Sequence, residues 1–383
     1  MISEKQTAEF DARIQKEFDD AKKNIKKPNI LLVGGTGVGK SSIVNMIFGV
    51  GTAKVGSGEP VTRGINKIDQ NKDVVLYDTE GFEIGVESEK MFNENIVGFV
   101  NKKKKGGFEN QIHLVWFVIS GSSDRVTDYD IKLLNDLKGL GVPVAVIFSK
   151  CDNANEESLN NMIIRLYPMS NFEIAFKSDS SPFFTTTDKQ AIKEEPNLDI
   201  KKVIDWSIEM LPAQLKEAFI ASQQVSLEAK FESAKSIVLQ HSGANALIGG
   251  SPIPFSDAPV LILSQAGMIG RIVNLYGIEN FGITDFMKGT GGGIVVSNIG
   301  RSIAGNLIKI IPGVGTVIGG LINSFVAAAI TYGMGTATNM IMRDILYSQL
   351  AGEKDKVTEI LENFGPMFKD YFKKSYESYK SKN

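Results

Sequence analysis

The chain has 383 residues, more than one compact core usually fills, which points to two domains. Hydrophobic residues make up 43% and charged residues 22%, which excludes a disordered chain, and a net charge of −2 supplies no positive field to draw in nucleic acid or anionic lipid. One cysteine and two histidines exclude a disulfide framework and disfavour a His/Cys zinc site or a Ser-His-Asp triad.

The N-terminal MISEKQTAEFDARIQKEFDD has no apolar core of signal-peptide length, so a cytoplasmic protein is expected. Phe10, Ile14, Phe18, Ala21 and Ile25 recur every three or four residues and predict an amphipathic helix ended by Pro28, so that 1–27 form an N-terminal helix. From 28 to 212 short apolar runs alternate with helical stretches. The runs are NILLV (29–33), VVLYDT (74–79), IHLVWFVIS (112–120), VPVAVIFSK (142–150) and a weaker PFFTTT (182–187). They predict an α/β domain, a mostly parallel sheet with helices on both faces. GINKIDQ (64–70) is expected to pair antiparallel with the 74–79 run across a tight NKD turn.

GGTGVGKSS directly follows the first run and precedes a helical stretch, matching G-x-x-x-x-G-K-[ST] at Gly34, Gly39, Lys40 and Ser41. Glycines 34, 35, 37 and 39 let consecutive N–H groups converge on phosphate oxygens, and the following helix adds the positive end of its dipole. Gly34, Gly35, Thr36, Gly37, Val38, Gly39, Lys40, Ser41 and Ser42 are therefore expected to surround a nucleotide's phosphates. Lys40 is placed across the β- and γ-phosphates and Ser41 on Mg²⁺. A second glycine cluster, GTGGGIVVSNIG (289–300), lacks the lysine and takes no phosphate role.

SKCD (149–152) closes the fourth parallel run, where loops meet ligand in an open α/β sheet. Asp152 is suited to accept from the two N–H donors on guanine's edge, and the Lys150 stem to lie across the base. Ser149 departs from the usual Asn or Thr. GGTGVGKS, PVTRG, DTEG and SKCD fall in order on strand ends, and over 29 to about 212 the chain resembles the translation-factor-related small GTPases, especially the Era-like branch. The N-terminal helix with a helical C-terminal region is similar in layout to immunity-related GTPases.

The resemblance implies a GTP/GDP-binding G domain using Mg²⁺. On it, Thr62 is the switch I threonine closing over Mg²⁺, Asp78 holds Mg²⁺ through water, and the Gly81 N–H contacts the γ-phosphate. The base-contacting fifth motif falls on TTT (185–187), centred on Thr186, or on FKSDSS (176–181).

DTEG is followed by Phe82, which can neither donate nor accept a hydrogen bond, where many switches carry a water-orienting glutamine. Slow intrinsic hydrolysis is expected, accelerated by self-association through the G domain or by a partner. Arg63 and Arg125 are the cationic candidates; for Arg125 the favoured reading is a local ion pair with Asp128 or Asp124, beside a helix capped by Thr127. KKKKGG (102–107) reads as a solvated loop, with contact to anionic lipid or RNA as the alternative. Cys151 reads as a small filler and His113 as a satisfied core residue.

After Leu211-Pro212 the character changes, and 213–383 are expected to form a Gly/Ala-rich helical domain. Residues 213–242 read as one long helix. SPIPFSDAPVLILSQAGMIGRIVNLYG (251–277) and the later IPGVG (311–315) resemble an uncharacterised helical domain found after bacterial G domains, with Ser256 or Asp257 capping a helix near Ala258. The run 310–342 has no charged residue and reads either as a helical hairpin buried against the 258–276 helix or as a segment entering a membrane. In the tail, Gly365-Pro366 is expected to break a charged amphipathic helix.

The leading reading is a Mg²⁺-dependent GTPase whose switches control a helical domain that engages a protein or membrane partner through 251–345. A nucleic-acid partner is disfavoured. The alternatives are a non-enzymatic, GTP-controlled assembly or membrane-binding module, then a ribosome-assembly GTPase, then an ATPase.

Overall fold

The computed structural model describes residues 4–23, 25–49, 52, 59–62, 64–68, 73–79, 86–123, 125–170, 172–248, 258–278 and 324–382. The chain divides into two compact units, one of residues 26–226 and one that joins 1–25 to 227–383. The chain passes between the units after Ile25 and again after Ser226, so residues 1–25 group with 227–383.

The 26–226 unit is built on seven strands, β1 (Asn29–Val33), β2 (Glu59–Thr62), β3 (Ile65–Ile68), β4 (Val75–Thr79), β5 (Leu114–Ser120), β6 (Val144–Ser149) and β7 (Phe183–Phe184), in the spatial order β2-β3-β4-β1-β5-β6-β7. β4, β1, β5, β6 and β7 pair in parallel, and β3 runs antiparallel to β4 as its sequence predicts. β2 was not expected: EPVT has no apolar alternation and contains Pro60, which an edge strand tolerates because it can leave one ladder position without a donor.

The central strands are apolar throughout because both faces are covered. Leu31, Val33, Val115, Phe117, Val146 and Phe148 face helices α3 (Val86–Lys105), α4 (Asp128–Gly139) and α5 (Glu156–Leu166). Ile30, Leu32, Leu114, Trp116, Val118 and Ile147 face α2 (Lys40–Phe48) and two helices further along the chain. Two short helices, α6 (Phe172–Lys177) and α7 (Lys189–Glu194), flank β7.

The lysine run is not a loop. Lys102 to Lys105 form the last turn of α3, where positive charge suits the helix dipole. Lys103 Nζ donates to the Tyr77 hydroxyl at 2.6 Å and lies 4.5 Å from the Tyr77 ring centroid, and Lys104 Nζ donates to the Leu140 carbonyl.

The expected helix over 213–242 is two helices. After α8 (Lys201–Met210), α9 (Ala213–Ser222) ends and α10 (Leu227–Ile248) begins beyond a turn at 223–226. The break has a chemical cause: the buried Gln223 side chain accepts from the Val225 and Ser226 N–H groups, which a continuous helix would have used itself. α9 lays Leu215 and Phe219 into the core with Phe48 and Trp116, so it completes the sheet's second face. Burying each of these two side chains contributes roughly 1.5–3 kcal/mol.

The second unit gathers α1 (Glu4–Lys23), α10, α11 (Ala258–Tyr276), α12 (Ser324–Leu350), α13 (Lys354–Glu362) and α14 (Phe364–Lys382). The chain breaks at Asn363, and Gly365-Pro366 lie inside the first turn of α14, where proline has no helical N–H bond to lose. No described helix is long and apolar enough to cross a membrane. The 251–257 turn, the 289–300 glycine cluster and the 311–315 segment lie outside the described residues.

His113 staples the base of the sheet. Its Nδ1 accepts from the Asn29 N–H at 2.9 Å, so Nε2 carries the proton and donates to the Phe108 carbonyl at 2.8 Å. Burial holds its pKa below the ordinary value, outweighing the Phe108 carbonyl, which favours the charged ring. Above a pH of about 6.5 the ring is neutral folded and unfolded; below it the unfolded chain takes up a proton that the folded one resists. The melting temperature should therefore fall as pH drops through about 6.5 and the fall should end below the folded pKa. His113→Gln, compared with wild type by thermal melts from pH 5 to 8, should lose that component; an unchanged slope would refute the assignment.

Candidate functional site

β1 opens at the middle of the sheet into the loop 34–39, and α2 leads away from it. The chain at Gly34 passes so close to β5 that a Cβ there would lie 2.3 Å from the Val118 carbonyl oxygen, so glycine is required. Gly37 and Gly39 hold φ at 76° and 101°, which turns the loop back towards the helix.

Five of the loop's six carbonyls, all but that of Thr36, have a donor described. Lys40 Nζ donates to Gly34 at 2.8 Å and to Gly35 at 3.1 Å, and Lys150 Nζ donates to Gly37 at 2.7 Å. The Ser149 hydroxyl donates to Val38, and the Ile43 N–H donates to Gly39 at 3.0 Å. A glycine-rich loop of this kind can offer its N–H groups to an anion, the form of an anion nest. Ser149, the departure from the usual motif, needs only its hydroxyl for this task.

Lys40 is 7% exposed, and burial lowers its pKa, opposed by the Asp78 carboxylate. Asp78 lies near the end of β4, in register with Leu32 of β1, and Ser41 opens the first turn of α2. The buried ammonium and its facing carboxylate are suited to a phosphate and to a small divalent cation respectively. A hydroxyl and a carboxylate are hard oxygen donors of the kind Mg²⁺ takes, so these residues fit the metal. Thr36 and Ser42 are exposed, on the loop and on α2.

On the base side, β6 ends at Ser149, and Lys150 takes a left-handed conformation with φ 55°, the one such non-glycine among the described residues. Asp152 follows in a short 3₁₀ turn and is held at both oxygens: Thr186 Oγ1 donates to Oδ1 at 2.5 Å, and Asn153 Nδ2 to Oδ2 at 2.5 Å. Of the two fifth-motif placements, TTT is therefore the one at Asp152. The 176–181 segment is tied elsewhere, with Lys202 Nζ donating to the carbonyls of Phe176 and Ser178. Asn153 is a contact that sequence reasoning missed, since nothing in its position marks it except adjacency to Asp152.

Cys151 is buried, and burial, reinforced by the Asp152 charge, pushes its thiol up to about 12 against the opposing Thr185 backbone hydrogen bond. It stays protonated at neutral pH and packs as a filler.

Thr127 caps α4 in a capping box with Asp130, as expected. The ion pair expected for Arg125 does not form with Asp128, whose carboxylate is taken by Arg165 at 2.7 Å. Arg125 is exposed beyond the C-terminal end of β5, without an ion pair among the described residues. Thr62 closes β2 opposite Ile65. Arg63, Gly81, Phe82 and Asp124 lie outside the described residues.

Residues 29–150 match the family described as 50S ribosome-binding GTPase. A probable GTP-binding protein EngB of Caldanaerobacter subterraneus subsp. tengcongensis is 29% identical over 192 residues, 49% of this chain and 92% of the relative. GTPase Der of Geotalea daltonii is 30% identical over 135 residues, 34% of this chain and 29% of that protein. Among solved structures, a probable GTP-binding protein engB aligns over 46% of this chain and 99% of its own, with 18% identity and a TM-score of 0.34. Aquifex aeolicus Era aligns over 61% and 71%, with 17% identity and a TM-score of 0.32. With the phosphate loop at the end of β1 and the base motif at the end of β6, one strand apart in a doubly covered sheet, the chain carries a P-loop GTPase domain.

Proposed function

We propose that the chain is a GTP-driven switch that binds GTP, hydrolyses it slowly to GDP with Mg²⁺, and passes its nucleotide state to the helical unit. The observation that carries this is the buried Lys40 ammonium on the carbonyls of Gly34 and Gly35, facing Asp78. Bound phosphate adds to the counter-charge that Asp78 already offers the desolvated ammonium. Lys40 then neutralises charge growing on the oxygen between the β- and γ-phosphates, and the loop's N–H groups hold the remaining oxygens. Ser41, Thr62 and, through water, Asp78 are the residues to hold Mg²⁺, which when bound polarises the phosphate oxygens. Asp152, held by Thr186 and Asn153, reads guanine's edge. Gly81 supplies the γ-phosphate sensor in switch II.

Phe82 leaves the attacking water without a glutamine, so turnover is slow until a second molecule completes the site. Arg125, exposed and without an ion pair among the described residues, is the group to reach across, with Arg63 as the second candidate. The helical unit is the output, engaging a protein or a membrane surface through 251–345, and liposome flotation of the full chain with GTP, GDP or no nucleotide tests the membrane arm.

A second reading, docking on the large ribosomal subunit, draws on the matched family's description and on Lys102 and Lys105, exposed in the last turn of α3. Sedimentation with purified 50S subunits should then carry the protein down with a non-hydrolysable GTP analogue, with loss on Lys102→Ala/Lys105→Ala. Recovery in the supernatant under all nucleotides would dismiss it.

Lys40→Ala should lower single-turnover GTP hydrolysis by about 10²- to 10³-fold. Turnover per molecule should rise with protein concentration in wild type and stay flat in Arg125→Ala. A flat wild-type rate would reject self-association.

A further inference from the structure

α2 is a nine-residue helix with Lys40 and Ser41 at one end and Ile47 and Phe48 at the other. A helix this short, about 13 Å long, links its phosphate end to its far end through fewer than three turns. The far end is gripped by the segment that replaced the expected long helix. Phe48 stacks with Trp116 at a centroid distance of 6.0 Å and meets the Phe219 ring of α9 edge-on at 6.2 Å. The Ile47 carbonyl, in the last turn of α2, accepts from the Gln224 N–H at 2.8 Å. Gly49 leaves room for the same residue, since a Cβ there would lie 3.0 Å from Gln224 Nε2.

The turn is locked from inside. Gln223 is fully buried, and its amide uses both ends: Oε1 accepts from Val225 N at 2.8 Å and Ser226 N at 2.7 Å, and Nε2 donates to the carbonyls of Ile220 at 3.3 Å and Ser226 at 2.9 Å. Leu227, the next residue, begins α10. The turn is therefore bonded to the phosphate-loop helix on one side and covalently continuous with the helical unit on the other.

We propose that the turn 223–226 is the latch through which the nucleotide state of the G domain reaches α10, with Gln223 holding its shape and the Gln224 N–H sensing the end of α2. This rests on the GTPase reading and adds a route by which the site is regulated. Nucleotides that set α2 differently strain or relieve the Gln224–Ile47 hydrogen bond. By linkage, a variant that weakens the latch must change the relative affinity for GTP and GDP.

Hydrogen exchange of the full-length protein should show different protection across 223–228 with GDP and with a non-hydrolysable GTP analogue. Gln223→Leu should shift the ratio of the two nucleotide affinities by about fivefold or more. His113→Gln, which removes the ring that accepts from the Asn29 N–H at the start of β1 and touches neither α2 nor the turn, should leave the ratio unchanged. Identical exchange under both nucleotides would overturn the latch, as would equal shifts in the two variants, which would mark simple loss of stability. Failure of wild type to bind either nucleotide would bring down the GTPase reading and the latch with it; binding of both without coupling would remove the latch alone.

Discussion

The nucleotide end of this protein depends on one requirement: a loop that turns its N–H groups towards an anion must find donors for the carbonyls it turns away. Here five backbone carbonyls, from Gly34 to Gly39 with Thr36 omitted, are met, and for the buried one at Gly34 a missing partner would cost about 1–3 kcal/mol. The donors come from three sources. Lys40 folds back from the first turn of α2, Ile43 donates from the same helix, and Ser149 with Lys150 reach over from the end of β6. The base motif is thus also the back wall of the phosphate loop. This is why a serine can stand at the first position of SKCD: the position needs an O–H or N–H aimed at Val38, and a carboxamide is one of several ways to provide it.

The helical unit answers a different requirement, that of bringing long helices close with few charges. Gly335 on α12 lets α10 and α11 approach until a Cβ there would lie 2.5 Å from Val238 Cγ2 and 2.9 Å from Met268 Sδ. Polar side chains then join the helices. The Thr331 hydroxyl accepts from Asn245 at 3.0 Å and Gln265 at 3.1 Å and donates to the Ala327 carbonyl at 2.9 Å, filling its hydrogen-bonding capacity. The Tyr276 hydroxyl donates to Asn339, whose amide in turn donates to the Phe231 carbonyl, and the buried Lys230 ammonium donates to Leu275 near the end of α11. Glycine, alanine and threonine in 324–342 thus serve helix packing, and the absence of charge there follows from burial.

Much of the G domain was legible because its signals are local. Strands covered on both faces must be apolar at every position, so NILLV and VAVIF announce themselves, and the loop glycines stand at fixed spacing from Lys40. What escaped was decided by partners distant in sequence. EPVT became β2 only because β3 offered an edge. The four lysines continued α3 because lysine is a good helix former and Tyr77 and Leu140 gave two of them acceptors, whereas the following glycines had suggested a loop. Residues 213–242 carry no breaker, and the break at Gln223 comes from a side chain that competes for N–H groups once buried against the sheet.

The same reasoning bears on which surface charge carries information. An unpaired surface arginine costs almost nothing, since exposed ion pairs contribute about 0–1 kcal/mol, so exposure alone gives Arg125 no significance. Its neighbours matter more. Asp130 is consumed by the cap on Thr127, and Asp128 is drawn away by Arg165 on α5, although Arg125 lies only three positions from Asp128 in the chain. The local carboxylates described around Arg125 are thus committed to holding α4 and α5 in place. What remains beyond the end of β5 is an exposed cation with no ion pair among the described residues, on the strand next to the one that feeds the phosphate loop.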